Sequence, residues 1–201
     1  MTSAKIILIL LITFLLVGQG YASTQGSVVY YLKQINNSFF TTQQIQTEQT
    51  IPTNSILSTN TLSVECIDKI LSQANSLASG TGKKFFDSGK QYNIDPAAAL
   101  AFFRKESTFG KYGVAAKTKS IGNIKCTTSN CYNGFNSYNT WDDGIEAWYK
   151  LISGKTYVGV GLDTIEEIIP KYAPSSENDT QLYITQVKQW MNEYREYSKQ
   201  C

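Results

Sequence analysis

The stretch "DPAAALAFFRKESTFG", residues 95–110, limits what this chain can fold into more than any other. Asp95 can cap a helix and Pro96 already holds a helical φ, so a helix starts here. Ala99, Phe102, Phe103 and Glu106 then fall at i, i+3, i+4 and i+7, one stripe of that helix. Arg104 and Lys105 point elsewhere, and Gly110 offers a stop. A carboxylate is therefore expected where the helix meets the core, near an end whose dipole disfavours negative charge.

Two explanations fit a glutamate in that position. An ion pair would hold the fold, but the helical neighbours Phe102, Phe103, Phe109 and Gly110 carry no charge, so the partner must be a tertiary lysine. Alternatively, apolar surroundings from Phe102, Phe103 and Phe109 raise the pKa until the carboxyl group can donate a proton near neutral pH.

The chain has 201 residues, enough for one ordinary domain with extensions. At its start, Lys5 precedes an apolar run from Ile6 to Val17, with small residues around Ala22. Residues 1–22 read as a secretory signal peptide, the rival being an uncleaved anchor shorter than the ~20 apolar residues of a spanning helix. Export makes the cysteines interpretable. Cys66, Cys126, Cys131 and Cys201 form an even set, compatible with two disulfides and three connectivities. Cys126 and Cys131 frame the short loop "CTTSNC" and are expected to pair locally, leaving Cys66 to join Cys201. A four-cysteine zinc site lacks any CxxC pair, so no metal is expected.

The formal charge of +2 gives no reason to expect nucleic acid or general attraction to anionic membranes. With no histidine in the chain, Ser-His-Asp and Cys-His catalysis are excluded. Hydrolytic chemistry would rest on carboxylates, tyrosines or lysines, without a cofactor.

Residues 23–62 are rich in Thr, Gln, Ser and Asn and read as a linker or stalk. Asn36 and Asn178 stand in Asn-X-Ser/Thr sequons. The compact domain is expected over 63–201 and mainly helical. Helices are expected at 67–77, at 83–92 and around Glu106, with loops or short strands over 111–140. Thr140 should cap the next helix with Asp143 at N3, and Gly154 should end it. A short helix in "DTIEEII" should stop at Pro170. The last helix should carry Tyr183, Val187, Trp190, Met191 and Tyr194 as a core stripe.

The segments "GTGKKFFDSGKQYNIDPAAALAFFRKESTFG", "SIGNIKC", "YNTWDDGIEAWYKLI" and "YAPSSENDTQLYITQV", in that order, resemble the glucosaminidase-type domain of the lysozyme superfamily. The likeness covers about 63–195. It implies an α+β, lysozyme-like fold in which a helical lobe faces a smaller loop-or-strand lobe across a sugar-binding cleft. It also implies that Glu106 is the general acid. Ser120 and Asn123 occupy the matching turn, Tyr172 the place of a family tyrosine near the acid, and Tyr138 that of a sugar contact. Trp141 is expected to be mainly core.

Glycosidases ordinarily use two carboxylates. No Asp or Glu lies between Ser107 and Trp141, and Asp142 and Asp143 are better explained as opening a helix. This favours a one-carboxylate route, in which the substrate's N-acetyl group stabilises the developing cation. Water or the sugar's C6 hydroxyl would then complete hydrolysis or lytic transglycosylation. Lys111, Lys117, Lys119 and Lys125 form either a solvated face or an attraction for an acidic polymer. The expected protein is a secreted or surface monomer that cleaves peptidoglycan or a related N-acetylhexosamine polymer. The alternatives are an inactive glycan-binding protein and a structural part of a surface or secretion apparatus.

Overall fold

The computed structural model describes residues 54–57 and 61–201. The signal segment 1–22 and most of the linker 23–62 lie outside the described residues. Helix α1, Val64–Gln73, starts where the Ser63 hydroxyl accepts from the Cys66 N–H, and it buries Cys66, Ile67, Ile70 and Leu71. Helix α2, Gly82–Tyr92, ends on Asn93 in the left-handed region, a conformation asparagine tolerates. Helix α3, Pro96–Ser107, has Asp95 as its N-cap, accepting from the Ala97 N–H at 2.8 Å, with Pro96 in the first turn. Every residue from Pro96 to Phe103 is buried. Such a helix belongs in the interior, and the rest of the domain wraps around it.

Directly after α3 the chain reverses through Thr108, Phe109 and Gly110, all at positive φ. The Ser107 hydroxyl accepts from the Gly110 N–H at 2.9 Å, and the Ser76 hydroxyl donates to the Phe109 carbonyl at 2.9 Å. A Cβ on Gly110 would run into the Trp141 ring, so this position needs glycine for space as well as for φ.

The smaller lobe follows. It holds the short helix α4, Ala115–Thr118, and the strands β1, Cys131–Tyr132, and β2, Phe135–Asn136. The strands pair antiparallel, with Tyr132 opposite Phe135, across Asn133 and Gly134 at φ 49° and 82°. Asn-Gly with two positive φ values is the turn that matches strand twist. Cys126 and Cys131 are bonded at the edge of this hairpin.

Helix α5, Trp141–Ser153, begins with the expected capping box between Thr140 and Asp143 and ends at Gly154. A 3₁₀ turn, Val158–Val160, leads to α6, Ile165–Tyr172. Contrary to expectation, α6 runs through Pro170. A second capping box, Thr164 with Glu167, fixes its start, and the Ala173 N–H donates to the Ile169 carbonyl at 2.8 Å, closing the last turn around the proline. Helix α7, Thr180–Tyr197, buries Tyr183, Ile184, Val187, Met191 and Tyr194 against α3. Trp190 lies at the edge of that stripe, under the Arg104 guanidinium 4.3 Å from its ring centre.

Residues 54–57, read from composition as linker, pack against the domain. Ile56 is fully buried, its N–H donates to the Asp163 carbonyl, and its carbonyl accepts from the Asp95 N–H, both at 2.8 Å. A polar composition reads as linker, but backbone hydrogen bonds leave no trace in composition. The Cys66–Cys201 disulfide ties α1 to Cys201, four residues past the end of α7. Among the described residues, no helix is long and apolar enough to cross a membrane, and no cluster of ligands could hold a metal ion.

Candidate active site

Glu106 lies in the last turn of α3 on the floor of a cleft of about 480 Å³. The small lobe contributes Asn123, Ile124, Lys125 and Phe135 to its walls, and the opposite side brings Tyr157, Lys171, Tyr172 and Glu177. One Glu106 oxygen, Oε1, accepts a short hydrogen bond from the Tyr183 hydroxyl. The other, Oε2, accepts from Asn123 Nδ2 at 2.9 Å. The cation whose charge acts on it, Lys105, is held at Gln186 Oε1, 2.6 Å away, and over the Tyr183 ring. No salt bridge joins Glu106 to a lysine or arginine among the described residues. The tertiary ion-pair explanation therefore has no partner among the described residues.

Burial raises the Glu106 carboxyl above its ordinary pKa, and the hydrogen bonds from Tyr183 and Asn123, with the Lys105 charge, pull only partly the other way. Its place at a helix C-terminus acts in the same direction as burial. Burial, and then the Glu106 charge, holds the Tyr183 phenol well above its usual range, so it remains a donor. A carboxylate offers about four lone-pair sites, so two donors leave room for a proton to be held and released.

The aromatic surroundings differ from those expected. Phe102 stacks edge-on to Tyr172 at 5.0 Å and tilts against Tyr183 at 6.1 Å, the two tyrosines beside the acid. Phe103 instead packs between Phe109 and Trp141, with centroids 5.6 and 5.5 Å away. Trp141 is thus largely a packing residue.

The structure brings Asn123 and Tyr172 to Glu106. Asn123 sits at φ 43°, a left-handed value that asparagine accepts, and this turns its amide towards the acid. Its Oδ1 is buried without a partner among the described residues. Tyr172 donates to the Gly122 carbonyl at 2.5 Å, and a Cβ on Gly122 would overlap both that hydroxyl and Trp148. Ser120 does not reach the cleft. It is fully buried, and its hydroxyl accepts from the Ile124 N–H at 3.1 Å, shaping the turn that presents Asn123. Tyr138 is half-buried beside α5 and outside the cleft lining.

Two site residues escaped the sequence reading. Tyr183 looked like any core member of an apolar stripe. Glu177 places a second carboxylate in the cleft, from the loop between α6 and α7 rather than from the smaller lobe. It is bound to Lys125 at 3.1 Å from each oxygen. The expected lysine cluster is dispersed: Lys111 donates to the Ala74 carbonyl, Lys119 to that of Asn139, and of the four only Lys125 lines the cleft.

No protein-family profile and no curated protein matches this sequence. Solved structures do. The chain superposes on Autolysin E of S. aureus, crystallised with the muropeptide NAM-L-Ala-D-iGlu, with a TM-score of 0.59 at 14% identity, covering 72% of this chain and 71% of that one. For Autolysin E alone the TM-score is 0.56 at 15% identity, covering 72% and 70%. For a catalytic mutant of it, in complex with the disaccharide NAG-NAM, the TM-score is 0.52 at 15% identity, covering 74% and 75%. At such identities the likeness speaks for the fold alone: this chain has the mainly helical, lysozyme-like architecture of Autolysin E.

Proposed function

We propose that this protein cleaves the glycosidic bonds of peptidoglycan or a closely related N-acetylhexosamine polymer, with Glu106 as general acid. One observation carries the reading: a carboxyl group raised by burial, with donors on both oxygens and no ion-pair partner among the described residues, on the floor of a sugar-sized cleft. The neutral acid protonates the glycosidic oxygen as the bond breaks. The donors at Tyr183 and Asn123 then stabilise the carboxylate left behind, which acts as base in the second half-reaction. The substrate's acetamido group supports the cationic transition state, since the second carboxylate of the cleft, Glu177, is paired with Lys125. The fold of Autolysin E, whose crystal structures hold peptidoglycan fragments, supports this substrate class. Two disulfides suit an oxidising compartment, which supports secretion or display at the cell surface, with residues 1–22 as the export signal.

Glu106→Gln tests the assignment. The amide keeps the shape and should lower turnover of purified cell wall at least about 10²-fold, the lower scale for losing a positioned acid. Stability should move the other way with pH. A carboxyl raised above its unfolded-state pKa adds stability below the unfolded value, and that stability fades as pH climbs through the folded value. The glutamine variant lacks this loss, so its melting temperature should gain on the parent's over that climb. A folded variant that digests wall at the parental rate would end the assignment.

A further inference from the structure

The charged residues of the cleft do not cancel locally. Four line it: Glu106, Glu177, Lys125 and Lys171. Lys125 and Glu177 neutralise one another across the two walls, and burial favours the uncharged form of Glu106. Lys171 forms no salt bridge among the described residues. Its helical neighbour of opposite charge, Glu167 at i−4, is committed to the capping box, accepting from Thr164 Oγ1 at 2.8 Å and from the Asp163 and Thr164 N–H groups at 3.2 Å. The Lys171 ammonium lies instead 5.9 Å from the centre of the Tyr157 ring, another cleft-lining residue. An exposed cation on an aromatic cleft wall, with its nearby acid already engaged, has capacity for a carboxylate brought by a ligand.

We propose that Lys171 is a specificity-determining residue that reads a carboxylate on the glycan, so that the cleft prefers an acidic N-acetylhexosamine polymer to a neutral one of the same backbone. The inference rests on the cleft's being a glycan-cleaving site. Tyr157 would carry the sugar ring or the stem of its acidic substituent while the ammonium meets the carboxylate. The resident Lys125–Glu177 pair, which spans the two walls, shows the same contact made within the protein. Lysine, a point charge on a flexible stem, suits a carboxylate whose position varies along the polymer.

Paired substrates isolate the effect: soluble peptidoglycan strands, and the same strands with their carboxyl groups amidated. The parent should favour the acidic strands in kcat/KM, chiefly through KM, and the preference should shrink as salt is added. Lys171→Met should lower kcat/KM on acidic strands about three- to fivefold, the scale of an exposed pair. Amidated strands should change less than twofold, and Lys171→Arg should restore the preference. Equal losses on both substrates, or a parent indifferent to amidation, would overturn the role of Lys171 while leaving the glycosidase intact. A parent that releases no fragments from either substrate would refute the glycosidase reading itself.

Discussion

Tyr183 reaches Glu106 from α7, 77 residues further along the chain, and its hydroxyl is one of two donors on the candidate acid. That bond favours the ionised carboxyl, so Tyr183→Phe removes a force holding the pKa down. The alkaline limb of the pH–rate profile should therefore move further up, and kcat should fall roughly tenfold, the scale of a hydrogen bond to a charged group. If Tyr183 only fills the core, melting temperature would drop and the limb would stay in place. Glu106 could be read from the sequence because helical period and the lack of a local counter-ion are both local facts. Tyr183 could not, because an apolar stripe reports which face is buried and says nothing about where a hydroxyl ends. Ser120 shows the converse: a motif points to the residue, but its side chain is fully buried and its hydroxyl accepts from the Ile124 N–H within the turn.

Helix α5 shows why some elements were readable and others not. Thr140 with Asp143 at N3, and Gly154 at the end, are signals contained within the helix, and all three act as expected. Helix α6 overran its proline because a second capping box and packing of Ile165, Ile168 and Ile169 outweigh one missing donor. The Asn133-Gly134 turn was readable in principle, but strands of two residues show no alternation to frame it. Gly144 hides its reason in tertiary structure: inside a helix it costs entropy, yet a Cβ there would overlap the Lys119 carbonyl. This close approach sets α5 against the segment leading to Asn123. Gly144→Ala should force the two apart, costing about 1–3 kcal/mol in urea unfolding. Turnover should fall more than stability alone explains, because the smaller lobe carries Asn123 to the acid. A variant with parental unfolding and parental kcat/KM would show that the contact yields freely.

At the scale of the molecule, three distant segments meet at Asp95. It caps α3 and is fully buried, and Arg195 of α7, 17% exposed, donates to it through Nε at 2.7 Å. The Arg195 Nη2 group also donates to the Ser55 carbonyl at 2.6 Å, and Thr61 bonds Asp95 from the other side. Residues 54–57, the start of the central helix and the end of the last one are thus joined at the Asp95–Arg195 pair. Composition placed Ser55 and Ile56 in a linker, and the apolar stripe of the last helix does not include Arg195, because neither composition nor periodicity measures contact across 100 or more positions. Arg195→Met removes the cation and leaves Asp95 buried and charged, a change that costs about 3–5 kcal/mol where a buried pair is broken. The loss should persist in high salt, since a buried pair is weakly screened. Adding Asp95→Asn should recover part of it, because the stranded charge is gone while the amide oxygen still accepts from the Ala97 N–H. Throughout, the alkaline limb proposed for Glu106 should stay in place, as its donors Tyr183 and Asn123 are distinct from Arg195 and Thr61, the side chains that bond Asp95. Chemical unfolding of the parent, the single variant and the double variant at two salt concentrations measures the stability changes, and pH–rate profiles of the same three proteins locate the limb. If Arg195→Met costs under about 1 kcal/mol, the exposed-pair scale, water reaches Asp95 and the junction does not organise the fold.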